Sequence, residues 1–244
     1  MILILGSTNK TAHTLLYMLH VFGDSYCDPC NGHLPYEKRY FNLLGEQSFV
    51  FGLAGSSIEW SLDIFLKGHN FREGKVIFIE SIPRRFHFEF LKYPGHAGAV
   101  MMDDNLCWEN DPWLSQPNMQ YLHDHKKFIN YFHQHYKDYH KATKSRSVLK
   151  ALSDKYEKVI YFATSHNNNR YGAVNIENSD KFIIPKIKLM DISRSEIKDN
   201  YDPSFKDIRS NHFTENNHEK LALYIKRLFN NEQVDDIKFD ENVI

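Results

Sequence analysis

The chain has 244 residues, 42% of them hydrophobic and 14% aromatic, enough apolar material for one large α/β domain or two small ones and too much for a disordered chain. Thirty Lys and Arg against 31 Asp and Glu leave a formal net charge of −1, which excludes any global drive toward nucleic acid or an anionic membrane surface. Three cysteines (Cys27, Cys30 and Cys107) are odd in number and too few for a disulfide framework, and no run reaches the roughly 18–20 apolar residues of a membrane span.

In chain order, residues 1–17 read as an extension outside the core, because the first clear strand begins only after them. The opening Met1–Gly6 is apolar but short, has no basic segment ahead of it, and lacks a small-x-small cleavage site, so it is a poor secretory leader. With the cysteine usage, this gives a cytoplasmic location as the expectation. Leu19–Phe22 reads as the first strand and Tyr36–Leu44 as a helix ended by Gly45. Ser48–Leu53 is a second strand, and Ser57–Leu66 a helix for which Ser56 or Ser57 supplies the cap. Lys75–Glu80 is a third strand, bounded by Gly74 and Pro83. Residues 91–118, with Pro94, Gly95, Gly98, Pro112 and Pro117, read as an inserted loop or lid. Helices are expected over Met119–Tyr139 and Ser147–Tyr156, a fourth strand over Lys158–Ala163 and a fifth over Lys186–Ile192. A last helix over Glu215–Phe229 puts Leu221, Ile225 and Leu228 on one face, followed by an acidic tail from 231 onward that is expected to fray. Strands alternating with helices imply an α/β fold, a three-layer α/β/α arrangement around a five-stranded parallel sheet.

The chemistry concentrates in four segments. Phe22-Gly23-Asp24-Ser25-Tyr26 puts a serine on the turn leaving a buried strand, at the sheet edge where α/β folds bind ligands. Leu53-Ala54-Gly55-Ser56-Ser57 follows the second strand, and the third strand runs into Ser81-Ile82-Pro83-Arg84. The fourth segment, Ser210-Asn211-His212-Phe213-Thr214 and onward to Ala222, offers a distant histidine followed by a helix. In this order the four resemble the blocks of the SGNH/GDSL hydrolase family, serine esterases and deacetylases of flavodoxin-like topology, over about residues 18–230.

The resemblance implies Ser25 as nucleophile and His212 as its base, with backbone N–H groups of Ser25 and Gly55 lining the oxyanion hole. It implies ester cleavage through an acyl-enzyme, on a small-molecule or carbohydrate ester. No cofactor, metal, nucleic acid or membrane partner is implied, and the oligomeric state is left open. Two positions depart from the family pattern. The third block has no asparagine to donate to the oxyanion, and Ser81, Arg84 or Asn167–Asn169 stand as substitutes. The position three residues ahead of His212 holds Arg209, so Asp207 is the nearest carboxylate for a triad. Asp24 and Arg84 are the substrate-binding candidates. The departures keep a second reading open, a catalytically weakened domain of the same pattern that binds or assembles.

Other motifs have plainer readings. Gly-Asp-Ser alone is a turn whose Asp or Ser caps the next helix, and Gly55 alone is a tight βα turn. His218 reads as a helix N-terminal residue touching the loop rather than a second base. Cys27-Asp28-Pro29-Cys30 has the spacing of a redox dithiol, the third reading, but nothing in that reading uses Ser25 or His212. In His123-Asp-His125 and His133-Gln-His135, helical spacing turns each pair to different faces, so a solvated polar face accounts for them better than a metal. Trp108 and Trp113 line either a substrate site or the insertion's own packing, and Arg84-Arg85 either contact an anion or cap the sheet edge.

Overall fold

The computed structural model describes residues 18–29, 34–53, 56–68, 74–81, 85–87, 99–101, 138–163, 176–192 and 213–240, with backbone alone at 85–87, 99–101, 138–141 and 190. Its strands are β1 (Met18–Gly23), β2 (Gln47–Gly52), β3 (Lys75–Ile79), β4 (Arg85–His87), β5 (Ala99–Met101), β6 (Lys158–Phe162) and β7 (Phe182–Ile183). Its helices are α1 (Tyr40–Leu43), α2 (Ile58–Lys67), α3 (Asp138–Leu152) and α4 (Glu215–Phe229). Five strands form one sheet in the order β2-β1-β3-β6-β7, every pair parallel. That is the flavodoxin-like order, and its topological switch lies where β1 has β2 on one side and β3 on the other. β4 and β5 form a separate antiparallel pair, so residues 99–101 of the 91–118 insertion pair with 85–87.

The sheet is covered on both faces, which is why its strands are almost continuously apolar. Leu19 and Val21 of β1, Ile77 and Ile79 of β3, and Ile160 and Phe162 of β6 point to one face, where they meet Tyr40 and Phe41 of α1 and Leu221, Ala222 and Ile225 of α4. The alternate residues Phe22, Val76, Phe78, Val159 and Tyr161 point to the other face, onto Leu62 and Phe65 of α2 and Leu149 of α3. The period of two residues thus divides the strands between two cores. Each fully buried Leu, Ile or Phe contributes about 1.5–3 kcal/mol of transfer free energy.

The helix starts follow local chemistry. Ser57, not Ser56, caps α2, its Oγ accepting the Trp60 N–H at 3.2 Å. Thr214 caps α4 by accepting the Asn217 N–H at 3.1 Å. The Lys158 ammonium at the start of β6 donates to Leu228 O (3.1 Å) and Phe229 O (3.0 Å), closing the other end of α4 where unpaired carbonyls and the dipole favour a cation.

Four expectations are corrected. The helix expected over Tyr36–Leu44 is a 3-10 turn (Tyr36–Lys38) and the short α1, broken at Arg39, whose extended backbone lets its guanidinium reach Asp28 O and Leu34 O. The helix expected over Ser147–Tyr156 is α3, which already runs from Asp138 and ends in a 3-10 turn at Ser153–Lys155. The fifth strand is Phe182–Ile183, not Lys186–Ile192. Pro185 has no N–H for a ladder, and Leu189–Ile192 forms a 3-10 turn that buries Leu189 and Ile192 in the α1/α4 core. The tail through Asp240 docks instead of fraying: Val234, Ile237 and Phe239 pack on the core, and the Asp240 N–H donates to Asn217 Oδ1 at 2.8 Å. The expected helix at Met119–Tyr139 lies outside the described residues up to 137, as do the 1–17 extension, residues 102–118 with both tryptophans, and the histidine pairs. Among the described residues no helix is long and apolar enough to cross a membrane.

Candidate active site

The C-terminal ends of β1 and β3 flank the switch point, and Ser25 and Ser81 lie just beyond them. After Gly23 the chain makes one helical turn: Asp24 O accepts the Cys27 N–H (3.1 Å) and the Asp28 N–H (3.0 Å), and Asp24 Oδ1 accepts the Tyr26 N–H (3.3 Å). Asp24 is buried and its described contacts build this turn. Ser25 therefore occupies the first position of the turn, where backbone N–H groups face away from the chain. The strand end beneath is pinned through Gly23 O, which accepts from Leu53 N (3.3 Å) and from Ser56 Oγ (3.1 Å).

Ser25 is 5% exposed, and its Oγ is enclosed with no hydrogen-bond partner among the described residues. Ser81 is 0% exposed and its Oγ is in the same condition. A buried hydroxyl without a partner forfeits about 1–3 kcal/mol, and Ser61 Oγ and Tyr40 Oη are in the same condition elsewhere in the fold. β1 and β3 are in direct register through Phe22 and Phe78. At the end of β3, Ile79 faces the α1/α4 core and Glu80 reaches Arg146 of α3 and Tyr161 of β6.

Glu80 had no role in the sequence reading. It is 0% exposed, and its Oε2 accepts from Arg146 Nε (3.1 Å), Arg146 Nη2 (2.6 Å) and Tyr161 Oη (2.8 Å). Burial, then the charge of Glu80, raises the Tyr161 phenol well above its usual range, so it stays protonated and donates. Ser145 Oγ lies 2.7 Å from Tyr161 Oη, a pair in which either hydroxyl can donate, and it also donates to Ala142 O at 3.0 Å. Burial works against the Arg146 charge, but Glu80 and Tyr161 more than offset it, and the guanidinium is held above its ordinary value. Nothing in the apolar pattern announces this network, because Ser145 and Arg146 sit on the buried face of α3 where periodicity looks for hydrophobic residues.

On the other face, aromatic rings join the two ends of the chain. Phe213 packs on Tyr26 (ring centroids 5.2 Å apart), on Tyr40 (6.4 Å) and edge-on to His218 (5.2 Å). His218 stacks on Tyr40, and its Nδ1 accepts the Tyr40 N–H at 3.2 Å, across 178 residues of sequence. An imidazole nitrogen used as an acceptor carries no proton, and through Nδ1 His218 ties α4 to α1.

Of the other expected site residues, His212, Asp207, Gly55 and Arg84 lie outside the described residues, as do Asn167–Asn169 and Cys30. Cys27 is described. Its thiol is fully buried and donates to Asp24 O at 3.5 Å. Burial, reinforced by the Asp24 and Asp28 carboxylates, pushes it well above the usual thiol range. A redox thiol needs the opposite, exposure and a lowered pKa. Among the described residues no His, Cys, Asp and Glu side chains cluster as a metal site would require.

No family model and no curated protein matches the chain. Among solved structures it is similar to LAE5, an alpha/beta hydrolase enzyme from the metagenome of Lake Arreo, Spain, at 11% identity and a TM-score of 0.34. That likeness covers 63% of this chain, and the chain spans 64% of the length of that one.

Proposed function

We propose that the protein is a serine hydrolase of the SGNH/GDSL pattern that cleaves a carboxylic ester, an esterase or O-acetyl deacetylase acting on a small-molecule or carbohydrate ester. The observation that carries this reading is the seating of Phe213 on Tyr26. Phe213, the residue after His212, packs on Tyr26, the residue after Ser25, and this contact supports a reading in which the two motifs act together. The unpartnered Ser25 Oγ supports it from the other side.

In the proposed reaction His212 takes the Ser25 proton as Oγ attacks the ester carbonyl. The oxyanion is held by the N–H groups of Ser25 and Gly55 and by the Ser81 hydroxyl, in place of the absent asparagine. His212 then returns the proton to the leaving alcohol. It next activates a water that attacks the acyl-serine, releasing the acid and restoring Ser25. Asp207 would orient the imidazole, and Arg84 would contact the substrate.

A second reading, a binding or structural domain of the same pattern, has the enclosure of Ser25 Oγ behind it. One experiment decides between them. Fluorophosphonate labelling and turnover of short-chain aryl esters are expected for the wild type and absent in Ser25→Ala, with His212→Ala reducing turnover by at least about a thousandfold. A folded wild type that neither labels nor turns over would overturn the hydrolase and leave the binding domain.

A further inference from the structure

We infer that the buried Glu80–Arg146–Tyr161 network is a positioning device for Ser81, holding its hydroxyl as the oxyanion donor that replaces the missing asparagine; this rests on the hydrolase reading above. Three observations lead to it. Glu80 precedes Ser81 directly and is fixed from both ends, its N–H donating to Phe162 O at 2.8 Å to extend the sheet ladder and its carboxylate bound to α3 and β6. A residue so anchored leaves its neighbour little freedom, and a donor aimed at developing charge has to be held before the charge appears. The network is also built from groups expensive to bury, a carboxylate and a guanidinium, where an apolar pair would pack as well. Finally, Ser81 is 0% exposed and its Oγ has no partner among the described residues, so no competing hydrogen bond there holds the hydroxyl.

The role makes a prediction that plain structural support does not. An oxyanion donor acts in the transition state, so its loss lowers kcat and leaves KM nearly unchanged. Ser81→Ala is expected to lower kcat by about a hundred- to a thousandfold. Tyr161→Phe removes one bond to Glu80 without changing shape, and Arg146→Lys keeps the charge but loses the paired N–H geometry. Each is expected to lower kcat by roughly tenfold at constant KM, and neither is expected to lower it further once Ser81 is alanine, because residues acting through one another are not additive. If Arg146→Lys does not fold by circular dichroism, Tyr161→Phe alone decides. An equal loss in both backgrounds, a change confined to KM, or an inert Ser81→Ala would each overturn the proposal while Ser25 still labels. A wild type without labelling removes the hydrolase reading and this inference together.

Discussion

At the scale of single residues, Gly52 and Gly23 set how closely the Ser25 turn lies on the sheet. A Cβ on Gly52 would stand 2.4 Å from Cys27 C and 2.5 Å from Asp28 N, both backbone atoms of that turn. One on Gly23 would stand 2.7 Å from Ile79 Cβ and 3.0 Å from Cys27 Sγ. The Gly52 contacts are all with backbone held by the Asp24 carbonyl, which cannot swing away. Gly52→Ala is therefore expected to push the 24–28 turn outward, at a cost of about 1–3 kcal/mol of overpacking. Its urea midpoint should fall and, on the proposed hydrolase reading, Ser25 labelling should slow by more than the fraction of unfolded protein explains. An unchanged midpoint would mean that the turn does not rest on β2 as described. Sequence alone pointed to Ser25 through its neighbours Gly23 and Asp24. It gave no hint of Gly52, because a close approach between distant segments leaves no local pattern.

At the scale of elements, the docked tail carries two carboxylates whose bonds respond to pH. Asp240 is held below the usual carboxylate range by its hydrogen bonds from Lys220 and Asn216, and Asp236 by its bond from Arg227. A carboxyl lowered in the folded state stabilises above its unfolded value of about 4, and that contribution is lost as pH falls through the lowered native value. The bonds of Asn217 to Asp240 O and from Asp240 N do not titrate, so acid should loosen the tail rather than release it. Hydrogen exchange of residues 231–240, referenced to α4, is expected to quicken between pH 7 and about pH 3, and Lys220→Met should remove most of that difference. A ratio independent of pH would assign the docking to Val234, Ile237 and Phe239 alone. The elements that the sequence marked best are those with both a cap and an apolar stripe. α4 has Thr214 ahead of it and Leu221 and Ile225 along one face, and α2 has Ser57. β7 was misplaced because an apolar run after Pro185 reads as strand, whereas its residues are buried from a 3-10 turn. The stretch of α3 ahead of Ser147 shows no apolar stripe because Ser145 and Arg146 are among its buried residues.

At the scale of the whole molecule, the sheet is one wall shared by two cores. β1, β3 and β6 each give residues to both cores, so unfolding either face would strip the same strands. The protein should therefore unfold as one cooperative unit, although the cores do not touch across the sheet. Ile225 on α4 belongs to one core and Leu62 on α2 to the other. Ile225→Val is expected to cost about 0.5–1.5 kcal/mol and Leu62→Ala about 2–5 kcal/mol. The double variant should lose their sum to within about 0.5 kcal/mol, since the two sites share no partner. All three should keep the wild-type urea dependence and a single transition by both near- and far-ultraviolet circular dichroism. Two separated transitions would show that the α1/α4 layer, which carries Phe213 to Tyr26, can leave while the rest stays folded. The crevice would then open by losing a layer, and the enclosure of Ser25 would be a property of that layer rather than of the sheet.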